Sequence, residues 1–414
     1  MQTLAPERFV RVLDGVSGAL GVGRGRLDGD ALISQALRRT GRAEFRDSSF
    51  LPALRLLLEC YEREADLNIF GRHAARWDAL RCLSNLLRFE AEEERQPDIL
   101  RETIDRPIFI TGLPRSGTTL LHSLLALDSA LRVPRCWQTI APYPGKGADR
   151  RRAQVGRQLR LFQRLAPEMA ALHPLSADAP QECTEITAQV FQSLRYEMSH
   201  RVPSYQAWLD AAGHVPAYRF HKRFLQHLQH QDGGGRWVLK CPDHIHALNA
   251  IGTVYPDCGI VFVHRDPLRV IASAVKLTEV VRRPFTRHVD KCEIGQQVLG
   301  RVTEGAQTMI ETSKAYPYGR IFHVHYTEFA HDPLRTIEAL YRHFDLRCTE
   351  ETRARMRDHL AAAEAASHRY SMEEFGLNPA QLRAHFETYV EHFCIRRESA
   401  IWHSRRTPRV PIAA

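Results

Sequence analysis

Gly112 and Gly117 stand at GxxxxG spacing in TGLPRSGTT (residues 111–119), between a β-rich apolar run, PIFIT, and a helix-like stretch, TLLHSLLALD. A glycine turn between strand and helix points backbone N–H groups and the helix dipole at one spot, which suits an anion. The position after the second glycine is Thr118, where nucleoside triphosphatases place the lysine that reaches the outer phosphates, and the loop's cation is Arg115. GIVFVHRD interposes His264 and Arg265 between an apolar strand and Asp266, so no magnesium-binding aspartate closes that strand. Phosphoryl transfer without that metal loses the charge that neutralises its transition state. A migrating group of lower charge fits better. Arg265 and Ser273 lie eight residues apart, two helical turns, and an arginine fork with a hydroxyl can grip a phosphate monoester.

These residues need a frame. Strand-like runs recur at PIFIT, RWVLK, GIVFVH and RIFHVHY (residues 320–326), alternating with helix-like runs through short loops. Asp266 suits an N-cap and Pro267 the first helical position. Alternation of this kind predicts an α/β fold: a P-loop-like parallel sheet flanked by helices, with ligands at the carboxyl ends of the strands. Residues 1–104 read as a helical N-terminal region, and the glycine cluster GVGRGR at 21–26 as a loop. Residues 105–350 read as the α/β core, interrupted at about 135–235 by a long helical insertion. Residues 351–414 read as a helical segment completing the core. Within the insertion, RRRAQVGRQLRLFQRLA puts Val155, Leu159 and Phe162 on one helical stripe and Arg157, Arg160 and Arg164 on another. That is a solvated helix packing on the core, or a lid over an anionic ligand or lipid.

Composition narrows the class. Apolar residues at 44% and charged residues at 25% are those of a globular protein, and no apolar run approaches the roughly 18 residues that span a bilayer. Glu7, Arg8 and Arg11 interrupt the apolar stretch a secretory signal requires, so a cytoplasmic location is expected. Nine cysteines without CxxC spacing predict reduced thiols and no thiolate zinc site. The net charge of +9 favours anionic partners. His221, His227 and His230 fall in a polar helical stretch that reads as a solvated face rather than a ligand set, and no metal site is expected.

Taken together, PRSGTT (114–119), LKCPDH (239–244), HRDPLRVIAS (264–273) and HYTEFAHDPLRTI (325–337) resemble the sulfotransferases that use 3′-phosphoadenosine 5′-phosphosulfate (PAPS), in particular a bacterial branch related to tyrosylprotein sulfotransferases. HRYSMEEFGL near the C-terminus is similar to that branch too. The resemblance implies that Arg115, Ser116, Gly117, Thr118 and Thr119 hold the 5′-phosphosulfate, that Arg265 and Ser273 hold the 3′-phosphate, and that Tyr326 lies near the nucleotide. It places Lys240 at the bridging oxygen and transferred group. PAPS would be the donor, 3′,5′-ADP (PAP) the product, and no metal would be required.

Such a transfer also needs a base for the acceptor hydroxyl. Tyrosylprotein relatives use a glutamate where RVPRCWQT here offers Gln138, and cytosolic relatives use a histidine where Pro242 stands. His244 is the first candidate and Glu182, in PQECTE, the second, with Asp243 and Glu185 in reserve. The expected acceptor is a small or lipophilic alcohol or phenol, with room for peripheral membrane contact and no nucleic-acid partner. The rivals are a P-loop kinase-like phosphotransferase and a non-catalytic nucleotide-binding protein.

Overall fold

The computed structural model describes residues 26–145, 147–165, 168, 176–316, 319–362 and 371–398. The GVGRGR cluster, apart from Arg26, and residues 368–370 of HRYSMEEFGL lie outside them.

The N-terminal part is helical: α1 (Gly29–Thr40), α2 (Leu51–Arg63) and α3 (Ile69–Arg95). Local chemistry sets the limits of α1, since the Asp28 carboxylate accepts from the Ala31 N–H at 2.9 Å and Gly41 turns left-handed at φ 73°. The elements that frame the site are β1 (Ile108–Gly112), α4 (Thr118–Leu125), β2 (Leu131–Arg132), α5 (Arg151–Leu165), α6 (Val215–Asp232), β3 (Arg236–Lys240), β4 (Gly259–His264), α7 (Pro267–Arg282), α8 (Lys291–Ala315), β5 (Ile321–His325), α9 (Pro333–His343) and α10 (Glu387–His392), joined by shorter helices and turns. Asp266 caps α7 through the Leu268 N–H at 3.0 Å, with Pro267 at its first position.

The strands form a five-stranded parallel sheet in the order β2-β3-β1-β4-β5. The two-residue β2 escapes the sequence pattern because it is too short to show a period. Each central strand is buried on both faces, and side-chain alternation sorts its residues between two cores. Ile108, Ile110, Val238, Val261 and Val263 face Leu121, Leu124 and Leu125 of α4 and Leu340 of α9. Phe109, Trp237, Leu239, Ile260 and Phe262 face the larger core built with the N-terminal helices and the insertion.

On α5, Val155 is buried while Arg157, Arg160 and Arg164 are exposed, as the two stripes predict. The histidines of α6 correct the sequence reading. His221 and His227 are fully buried, not solvated: His221 Nδ1 meets the Tyr255 hydroxyl at 2.7 Å, and His227 bridges Glu93 and the Tyr143 hydroxyl. Polar partners brought from distant elements bond both ring nitrogens of His227 and the Nδ1 of His221, whose Nε2 is buried without a partner, so the helix packs a polar face inward. Among the described residues no group of histidines, cysteines and carboxylates is placed to hold a metal, and no helix is long and apolar enough to cross a membrane.

Candidate active site

The loop from Gly112 to Thr119 leaves β1 at the carboxyl edge of the sheet and enters α4. Gly112 takes φ 148°, and a Cβ there would sit 2.3 Å from the Val263 carbonyl oxygen, so the neighbouring strand approaches too closely for a side chain. Gly117 takes φ 101°, and a Cβ would press on the Tyr326 ring at 2.9 Å. Arg115 is left-handed at φ 65°, a strained conformation for a residue with a side chain, and the loop holds it there. The Ser116 hydroxyl is buried with no hydrogen-bond partner. A cradle of backbone N–H groups with an orphaned inward hydroxyl and a helix N-terminus behind it fits an anion.

Arg115 links Ser273 and Arg265. Arg115 Nε donates to Ser273 Oγ at 3.0 Å, and Arg265 Nη1 donates to the Arg115 carbonyl at 2.9 Å. The Arg265 guanidinium lies over the Tyr326 ring, 3.9 Å from its centre, so Tyr326 separates it from Gly117. The other edge of the same guanidinium is taken by Glu398, a residue no motif singles out: its carboxylate accepts from Nε at 2.8 Å and from Nη2 at 2.9 Å.

Lys240 ends β3 on the face shared with Val238, the α4 side of the sheet, and is buried at 1% exposure. Its ammonium donates to Glu182 Oε1 at 2.5 Å and to Thr119 Oγ1 at 3.2 Å. Glu182 is placed by backbone: it forms a parallel bridge with Lys240, and the Cys183 N–H donates to the Lys240 carbonyl at 3.2 Å. The insertion thus continues the sheet edge for one residue and delivers a carboxylate to the lysine.

His244 goes elsewhere. Its ring packs edge-on against Phe109, 5.0 Å between centres, in the core on the opposite face of the sheet from α4. Nδ1 meets the Tyr218 hydroxyl at 2.5 Å, and burial pushes the imidazole well below its usual pKa. With Thr184, His214, Tyr218 and Asp243 it lines a cavity of about 20 Å³, too small for any acceptor. Burial raises Asp243 to about 6. Glu185 is committed to an ion-pair network with Arg81 and Arg195, each at 2.6 Å. Gln138 spans the Arg135 N–H at 2.9 Å and the Asp232 carboxylate at 2.7 Å.

The site therefore has two halves on one sheet edge: an anion loop with Arg115, Arg265, Ser273 and Tyr326 around it, and a lysine–carboxylate pair touching the loop's last threonine. Clamped anions beside a cation and a proton acceptor are what group transfer to a hydroxyl requires.

Known proteins share this architecture. The chain is 28% identical to the sulfotransferase STF9 from Mycobacterium avium, whose structure superposes with a TM-score of 0.81 over 89% of this chain and 97% of that one. It is 29% identical to the sulfotransferase STF1 from Mycobacterium tuberculosis H37Rv, with a TM-score of 0.75 over 88% and 98% of the two chains. It is 24% identical over 262 residues, 62% of this chain and 67% of the other, to an omega-hydroxy-beta-dihydromenaquinone-9 sulfotransferase from Mycobacterium tuberculosis. Residues 107–351, which carry every strand of the described residues and the residues proposed from the motifs, match the sulfotransferase family, and the chain belongs to it.

Proposed function

We propose that this sulfotransferase moves the sulfuryl group of PAPS to the hydroxyl of a lipophilic alcohol, with Lys240 at the leaving oxygen and Glu182 as the base. The contact of Lys240 with both Glu182 and Thr119 carries this reading, because it couples the anion loop to a proton acceptor through one cation. Arg115, Ser116, Gly117, Thr118 and Thr119 would hold the 5′-phosphosulfate, with Arg265 and Ser273 at the 3′-phosphate. Tyr326 supports the Arg265 plane from below. The acceptor oxygen bonds to sulfur, the bond from sulfur to the bridging oxygen breaks, and the acceptor proton passes to Glu182 while PAP leaves. Lys240 offsets the negative charge that grows on the bridging oxygen. No step calls for a metal.

Support for a lipophilic acceptor comes from two sides. A relative is named for a hydroxylated menaquinone, and α5 presents Arg157, Arg160 and Arg164 beside an exposed Leu161, at 59%, the composition of a helix that meets an anionic lipid surface. Nine free cysteines, six of them buried, suit a reducing, cytoplasmic location. Incubating the protein with PAPS and matched panels of lipid, sterol, phenol and sugar alcohols, read by mass spectrometry, tests the reading. Sulfation confined to sugars would overturn the acceptor class.

A further inference from the structure

Arg265 has two anions to choose between. Its Nε/Nη2 edge, the edge on which a guanidinium grips an oxyanion through two parallel bonds, is filled by the Glu398 carboxylate at 2.8 and 2.9 Å. Nη1 is spent on the Arg115 carbonyl, and one face of the plane lies on Tyr326. Glu398 reaches this point by design of the C-terminal segment. In α10 and just beyond it, Tyr389 and Phe393 pack on His264, the Tyr389 hydroxyl meeting His264 Nδ1 at 2.9 Å and the Phe393 ring lying 4.3 Å from the imidazole centre. Ile395 is buried in the larger core, and the Glu398 N–H donates to Asp266 Oδ2 at 2.9 Å. The segment therefore crosses the carboxyl end of β4 and sets a carboxylate, 11% exposed, on the arginine that opens the HRDPLRVIAS motif.

We propose that Glu398 is an internal competitor of the donor's 3′-phosphate, occupying the Arg265 edge that the phosphate takes and exchanging with it in each catalytic cycle. The proposal rests on the assignment of Arg265 to the 3′-phosphate. A carboxylate and a phosphate cannot share one guanidinium edge, so donor binding must break two charge-assisted bonds, and return of Glu398 helps expel PAP. Glu398 thereby weakens the hold on a nucleotide that carries a 3′-phosphate and leaves untouched one that lacks it. The opposite role, in which Glu398 steadies Arg265 for the phosphate, predicts effects of opposite sign.

Calorimetry with PAP and 5′-AMP on the full chain and on Glu398→Gln separates these cases. The glutamine keeps the shape and removes the charge, so PAP should bind about tenfold more tightly to the variant while 5′-AMP changes by less than about twofold. A PAP affinity that is unchanged or weaker in Glu398→Gln, with PAP still preferred over 5′-AMP by the unaltered protein, would overturn the competitor and leave the 3′-phosphate site standing. Equal affinities of the unaltered protein for PAP and 5′-AMP would remove the phosphate site and the competitor together. Hydrogen exchange on the unaltered protein gives a reading independent of the variant. Saturating PAP should speed exchange of the Glu398 amide, which Asp266 now protects, and 5′-AMP should not. Slower exchange with PAP would overturn the proposal.

Discussion

Lys240 and Glu182 meet at 2.5 Å although they lie 58 residues apart in sequence. The lysine is almost wholly buried and the carboxylate about one-fifth exposed, so the pair opens towards solvent on the carboxylate side only. On the proposed reading, the cation fixed by the fold and the more exposed carboxylate beside it mark where an acceptor hydroxyl approaches. Thr119, the lysine's other partner, belongs to the anion loop, so on the proposed reading donor and acceptor converge on one ammonium.

Replacing Lys240 with alanine should lower kcat by on the order of 100-fold or more, because the charge is needed mainly as the bridging oxygen gains its own. PAP affinity should change far less, since the phosphate ligands are on other residues. Single-turnover kinetics paired with PAP titration checks this. A Lys240→Ala enzyme with near-normal turnover would move the leaving-group role elsewhere.

Glu182→Gln should lower kcat/KM by about 100- to 10,000-fold with PAP affinity intact. His244→Ala should leave both kcat/KM and PAP affinity near those of the unaltered enzyme; it should cost on the order of 2 kcal/mol of stability, since the ring fills a core against Phe109 and Tyr218. Measuring turnover, donor affinity and melting temperature on both variants decides between the two candidate bases. The reverse pattern, an inactive but stable His244→Ala, would restore the histidine.

Both candidates are visible in the sequence, and the reason it ranks them the other way is geometric. His244 follows Lys240 closely, and nearness along the chain favours it. Yet β3 alternates its side chains, Lys240 faces α4, and the turn after the strand carries His244 under the sheet to Phe109. Glu182 depends on a single parallel bridge between a loop of the insertion and the strand end, a long-range pairing that no local pattern encodes. The anion loop, Arg265 and Ser273 are legible because each sits within two helical turns of a strand end, where the parallel α/β rule places ligands. Glu398 is not legible, since it stands 133 residues from its partner in a stretch without a motif. The buried His221 and His227 mislead for the same reason: Tyr255 and Glu93, which bond them, come from other elements.

Ser273→Ala and Arg265→Met should each erode the preference for PAP over 5′-AMP, the second more strongly, because a charge-assisted bond contributes roughly 1.5 to 3 kcal/mol. The arginine variant also frees Glu398, so its melting temperature reports the ion pair separately from the nucleotide. Chelator should leave turnover of the unaltered enzyme unchanged. Loss of turnover with EDTA and its return with magnesium would favour the phosphotransferase rival.

Stability should fall with acid in two steps. Burial holds His122, His200 and His221 at about 3 and His214 at about 4, all below the usual 6.5. The unfolded chain therefore takes up protons first as the pH drops. The stability these rings contribute is complete above about pH 6.5 and is lost progressively below it, at about 1.4 kcal/mol per pH unit for each ring. Carboxylates add a second loss at lower pH. Burial opposes the ionised form of Glu93, but bonds from His227 and Arg223 hold it down at about 2, so its contribution fades only below about pH 4.5. Thermal melts between pH 8 and pH 4 should show the first decline beginning near 6.5. His221→Asn, which can keep a bond to the Tyr255 hydroxyl without a titrating ring, should flatten the slope of unfolding free energy by about 1.4 kcal/mol per pH unit. An unchanged slope in that variant would mean that His221 is not held neutral by the fold.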